Sequence, residues 1–235
     1  MKSRRKFGVE IEFCTDEDIY SWAEMLSGAT GITVDVYGYS YDSWKLVSDG
    51  SVNGWELVSP ILQGKKGISQ VEKMVKAMKL HGASMNQSCG LHVHVNAGDF
   101  SFANIMTAMK RYNEHEQRID RAVALERQGW NCHYAQPMAD YVADVVEQAK
   151  NKTQLRNMLE EDMIGRYAKL NICSYVEHGT LEFRQHEGTL NLRKMLNWIE
   201  FCVQFMDDVR TQKPFRAPKA PRVRRPMTPA VHASL

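Results

Sequence analysis

A chain of 235 residues, 43% hydrophobic and 25% charged, has the composition of an ordinary globular protein with enough length to bury a substantial core. No run approaches the roughly 20 apolar residues of a membrane span. The basic start at Met1–Lys6 leads into a charged strand rather than an apolar signal core, so no export signal is expected. The net charge of +2 hides an asymmetry, because seven Lys or Arg and no Asp or Glu follow Val209, leaving the body at about −5.

The first predicted element is the strand Phe7-Gly-Val-Glu-Ile-Glu-Phe13. Period-two alternation sets Glu10 and Glu12 on one face and Val9, Ile11 and Phe13 on the other. Two like charges about 7 Å apart repel unless a cation lies between them, and a hard divalent ion is the usual answer. A strand with one wet face is the plain alternative. Thr33–Tyr37, Trp44–Val47 and Trp55–Val58 read as further strands, the last with Glu56 embedded, and Ser48-Asp-Gly-Ser51 carries turn chemistry.

Ile68, Val71, Met74, Val75 and Met78 recur at helical spacing, and Gly82 closes that helix. Gly90–Asn96 is a strand in which His92 and His94 alternate with Leu91, Val93 and Val95. A long helix starts near Ser101, its apolar stripe running from Phe102 to Val123. Arg111, Glu114, Arg118 and Arg121 on that helix have the spacing of a solvated ion-pair ladder, the alternative being an arginine turned toward a substrate carboxylate. Residues 127–166 are polar and read as a helical insertion or lid, with helices at 138–150 and 153–163. Trp130, His133 and Tyr134 there are candidates for a substrate pocket. Leu170–Tyr175 and Thr180–His186 read as a hairpin turning through Glu177–Gly179, with Tyr167 and Asn171 leading into it. Leu192–Val209 is a final helix. The Pro-rich basic segment 211–235 reads as a solvated tail, with contact to nucleic acid or an acidic partner as its other use.

Strands in runs broken by helices favour an α+β domain over residues 1–210 with a mainly antiparallel sheet. Five scattered cysteines without CxxC spacing suggest reduced thiols of a cytoplasmic protein. Cys89 beside the histidine strand would warrant a nucleophile control.

The chemistry collects on strands. Glu10, Glu12, Glu56, His92, His94 and Glu182 would be costly to bury unless paired or metal-bound. Oxygen ligands with one or two imidazoles suit Mg²⁺ or Mn²⁺ better than zinc. Lys45, Arg166 and Arg184 are candidate phosphate binders, and Arg184 shares a face with Glu182. Neither a GxxxxGK[ST] loop nor a strand-GxGxxG-helix is present, so a nucleotide would be held by the sheet and metals.

Five motifs occur in one order: Phe7-Gly-Val-Glu-Ile-Glu-Phe13, Asp49-Gly-Ser51, Glu56-Leu-Val-Ser-Pro60, Cys89-Gly-Leu-His-Val-His-Val95 and Leu181-Glu-Phe-Arg184. Over about residues 6–205 the chain resembles the putative amidoligase family of the carboxylate–amine ligase superfamily, which includes glutamine synthetase and glutamate–cysteine ligase. That resemblance implies a glutamine-synthetase-like curved antiparallel sheet with helices on its outer face. It implies a metal shared by Glu10, His92 and Glu182 and a second held by Glu12 and Glu56. His94 would face ATP phosphates, Arg184 would stabilise the transferring phosphoryl group, and Asp49 would bind or deprotonate an incoming amine. The implied reaction is ATP- and Mg²⁺-dependent formation of an amide or peptide bond through an acyl phosphate, with small molecules, peptides or protein side chains as substrates. A homo-oligomer that completes the site between subunits is open. A metal-dependent hydrolase or nuclease using the same cluster, and a non-catalytic nucleotide-binding module, are the rival readings.

Overall fold

Alternation along the first strand divides the molecule into two sides. β1 (Lys6–Cys14) buries Phe7, Val9, Ile11 and Phe13 on one face, none more than 2% exposed, and turns Glu10 and Glu12 to the other. The computed structural model describes residues 3–38, 40–48, 50, 52, 54–162 and 165–219. Among these, β1 lies within one sheet with β2 (Val34–Val36), β3 (Trp44–Val47), β4 (Gly54–Val58), β5 (Leu62–Gln63), β6 (Gly90–Asn96), β7 (Leu170–Asn171) and β8 (Thr180–Glu187). The order is β2-β3-β4-β1-β6-β8-β7, with β5 pairing to β1 off that path. Among the described strand pairs only β2–β3 is parallel.

Register decides which side chains meet. Glu12 stands opposite Glu56 and Glu10 opposite Val58 on one side; Glu10 is opposite His92 on the other. His94 is opposite Glu182, and Asn171 is opposite Glu182 from the far edge. Directly opposed residues share a face. Leu91 pairs with His186 and Val93 with Phe183, so His92 alone stands against both Arg184 and Gln185. This is a β-bulge, one extra residue on β8. Beyond it His186 turns to the apolar side, its ring 5.2 Å from Trp198.

Helices cover the apolar face: α1 (Ile19–Thr30), α2 (Gly64–Leu80), α3 (Phe102–Asp120) and α7 (Leu192–Arg210). Phe13 packs edge-on against Trp22 of α1, and Phe183 meets Tyr112 of α3 and Phe201 and Phe205 of α7. α4 (Ala139–Gln148) and α5 (Lys152–Asp162) fall in the polar middle section, where Val142, Val145, Leu155 and Leu159 join the core. No described helix is long and apolar enough to cross a membrane. The fold class is α+β, with a single open, mostly antiparallel sheet.

Four local features depart from the sequence reading. Helix α1 was not foreseen, although its ends are marked: Asp18 accepts from the Tyr20 and Ser21 amides, and Gly31 closes it with φ +67°. Strand β7 stops at Asn171 and does not continue to Tyr175. The Asn171 side-chain oxygen accepts from the Cys173 amide, and α6 (Ser174–His178) follows. The ladder on α3 gives way to other contacts. Arg118 lies 5.1 Å from the Phe215 ring centre, while Glu116 and Asp120 bind the fully buried Lys169 at 2.7 and 2.9 Å. The first part of the basic tail stays mostly exposed but is tied down at two residues. Phe215 stacks on His115, and Arg216 makes two hydrogen bonds to the buried Asp208. Residues 220–235 lie outside the described residues, as do Asp49 and Ser51 of the turn.

Candidate metal centre

Four adjacent strands, β4, β1, β6 and β8, bring the foreseen carboxylates and imidazoles together on the face opposite the helices. Glu10 is the hub. Its Oε2 lies 3.1 Å from His92 Nδ1 and its Oε1 lies 3.0 Å from His94 Nε2. Glu182 Oε1 is 3.6 Å from His92 Nδ1 and 3.9 Å from His94 Nε2. Glu12 Oε1 is 3.8 Å from His92 Nε2, and its other oxygen accepts the Gly90 amide. Glu12, His92 and Glu182 are each 3% exposed, and Glu56 9%.

Electrostatics follow from this crowding. Burial opposes a charged His94, but Glu10 and Glu182 outweigh it and hold the ring up to about 9. Glu10 is driven well below the usual carboxylate range: burial pushes it upward, yet His94 and His92 prevail. Arg184 donates to Glu182 Oε1 at 2.5 Å. Burial works against its charge, but Glu182 and Glu10 raise its pKa further.

Among the described residues, two groups of donor atoms lie close enough to hold an ion, with all atoms of a group within 4.8 Å of one another: Glu10, Glu56 and His92, and Glu10, His94 and Glu182. The register also sets Glu12 directly against Glu56 and Glu10 against His92. Among the described residues these groups set His92 with Glu56 and His94 with Glu182, whereas the resemblance implied His92 with Glu182 and Glu12 with Glu56. A hard divalent cation fits this donor set. Four carboxylates with two imidazoles form an oxygen-rich shell, and the buried His94 Nε2 makes no properly directed hydrogen bond despite its short approach to Glu10.

The family comparison bears directly on this cluster. A family model described as a putative amidoligase enzyme matches residues 3–206. The chain belongs to that family. No curated protein matches it. The amidoligase match takes in Glu10, Glu12, Glu56, His92, His94, Glu182 and Arg184 and ends short of the tail, and membership points to a ligase.

Around the amidoligase cluster the remaining candidates separate. Lys45 lines a cleft of about 540 Å³ together with Glu10, Glu56, His94, Tyr41 and His178. Arg166 is exposed in the turn after α5 and is not among the residues lining that cleft. Asn171 donates to Glu182 Oε2 at 2.7 Å. His133, Tyr134 and Tyr167 form a ring cluster, and Trp130 is 66% exposed. Burial pushes the Cys89 thiol up to about 11, so at neutral pH it is an uncharged group lying 3.6 Å from the Cys14 sulfur.

Sequence reasoning missed three supporting residues. The Thr180 hydroxyl is 3.0 Å from His94 Nδ1 and orients the ring toward Glu10. His178 lies 5.8 Å from the His94 ring. Arg127, 2% exposed, donates to the carbonyls of Ser88 and Cys89 and fixes the chain where it enters β6. Arg127 and His178 carry no local motif. Thr180 opens a readable strand, but its partner depends on the β6–β8 register.

Proposed function

We propose that this protein is an ATP- and Mg²⁺-dependent ligase that joins a carboxylate to an amine through an acyl phosphate. The observation that carries the reading is the row of Glu10, Glu12, Glu56, His92, His94 and Glu182 on one sheet face, with Arg184 bonded to its end. Family membership supplies the reaction class. A glutamine-synthetase-like sheet is part of the same proposal.

Phosphoryl transfer asks a protein for positioning and charge neutralisation more than for a covalent nucleophile. Glu10, Glu12, Glu56, His92 and Glu182 would hold divalent cations, which supply charge neutralisation at the phosphates when bound. Glu10 divides the row, since it belongs to both donor groups. His94 stands on the same face and offers an imidazole N–H to a phosphate oxygen. Arg184 is braced by Glu182 and offers its guanidinium to charge developing on the phosphoryl group. Asp49 is assigned to the amine, to accept its proton before attack. Lys45 in the cleft neutralises the substrate carboxylate or a phosphate.

The test is ADP release with a panel of carboxylates and amines. Glu182→Ala should abolish it while circular dichroism stays native. Undiminished turnover in that variant would defeat the proposal, and product formation without ATP would favour a metal-dependent hydrolase instead.

A further inference from the structure

The carboxylate row has two unlike flanks. Lys45 on β3 and Arg184 on β8 are four strand spacings apart, about 19 Å along the sheet. Lys45 borders the cleft, which is lined by Val47, Val58 and Pro60 and runs on past Glu10 and His94 to His178. On the Arg184 flank there is a cluster of aromatic rings.

Arg184 connects that cluster to the carboxylates. Its Nη1 donates to Glu182, and its Nε donates to the Tyr134 carbonyl at 3.3 Å. The rings of His133, Tyr134 and Tyr167 have centroids 5.2 to 5.5 Å apart. Their backbones are tied to the sheet edge. The Arg184 amide donates to Lys169, the Lys169 amide to Gln136, and the Gln136 amide to Tyr167. These side chains nevertheless remain open to solvent, Tyr134 at 42% and Tyr167 at 38%.

Aromatic rings held in place by backbone bonds, yet left uncovered, mark a surface suited to a flat ligand. Charge selects the ligand. Arg184 adjoins the cluster, and Arg166 precedes Tyr167 in the same turn. The Arg184 guanidinium disfavours a cationic amine guest and favours an anion with a planar ring system.

We infer that His133, Tyr134 and Tyr167 form the seat of a nucleobase, with Arg184 tying this cluster to the carboxylate row that takes the phosphates. The inference rests on the ATP reading above. It also divides the substrates: the nucleotide takes the Arg184 flank, and the carboxylate substrate takes the Lys45 cleft.

The test is calorimetric titration of the full-length protein with MgATP and, separately, with magnesium tripolyphosphate, which has the phosphates but no base. Tyr134→Ala and Tyr167→Ala should weaken MgATP about tenfold or more and leave tripolyphosphate within about twofold. Tyr134→Phe and Tyr167→Phe should bind MgATP like the parent, because stacking needs the ring and not the hydroxyl. Alanine variants that bind MgATP as tightly as the parent overturn the base seat and leave the ATP reading standing. Equal losses for both ligands also overturn it, since that marks a phosphate or folding effect. A parent protein that binds neither ligand overturns the ATP reading itself.

Discussion

Replacing Glu10 with Gln keeps the shape of the hub and removes its charge. In metal-free protein His94 is held up to about 9 against an ordinary 6.5, chiefly by Glu10 and then Glu182, despite burial. That gap corresponds to about 3 kcal/mol of stability. Below 6.5 the ring is protonated in both folded and unfolded chains, and the contribution is fully present. As pH rises the unfolded chain loses its proton first, and the contribution is gone once the folded ring titrates near 9. The depressed Glu10 is the same ion pair seen from its partner, so it is counted once. Glu10→Gln should remove the larger part, roughly 2 kcal/mol, leaving Glu182 to supply the rest. Urea denaturation in chelator from about pH 6 to about pH 10 measures the difference between parent and variant. That difference should be largest at low pH and vanish above about 9. Parallel profiles at all pH values would refute the reasoning, because His94 would then owe nothing to Glu10.

Lys169→Met should destabilise the protein by about 3–5 kcal/mol at neutral pH, because Glu116 and Asp120 lose the buried ammonium they share; denaturant midpoints check this, and an unchanged midpoint contradicts it. Gly90→Ala places a methyl group 2.7 Å from His92 Nε2 and 3.1 Å from a Glu12 oxygen, so His92 must shift. Metal affinity should fall about 10–100-fold with little change in the metal-free melting temperature, read as a smaller Mg²⁺-induced rise in Tm. Chelation should abolish ligation in the parent protein, with Mg²⁺ or Mn²⁺ restoring it and Zn²⁺ failing to do so, measured as ADP release.

The site was legible where function follows strand period. Glu10/Glu12 and His92/His94 each needed only alternation to be placed on one face. Which carboxylate meets which imidazole was not legible, because it depends on register between strands far apart in sequence. His94 reaches Glu182 only because β6 and β8 pair with those two residues opposed. Lys169 shows the same limit in the core, since its partners lie 49 and 53 residues away. Two errors were local instead. Helix α1 carried its signal in Asp18, in Ile19, Trp22, Ala23 and Leu26, and in Gly31, so its cap pattern was overlooked. The run Leu170–Tyr175 is apolar enough for either state, and one side-chain bond from Asn171 turns it into a helix entry.

The extra residue opposite His92 also sets the chemical character of the site. By unbroken alternation His186 would follow Glu182 and Arg184 onto the open face and offer a third imidazole. The two-for-one step at Arg184 and Gln185 sends it to Trp198 instead, while Gln185 accepts the Tyr112 hydroxyl within the core. A ladder that ran on without the step, with Gln185 opposite Leu91, would instead bring His186 onto the carboxylate face and add the kind of nitrogen donor that zinc favours. One irregularity in a ladder thus decides how many imidazoles face the carboxylates.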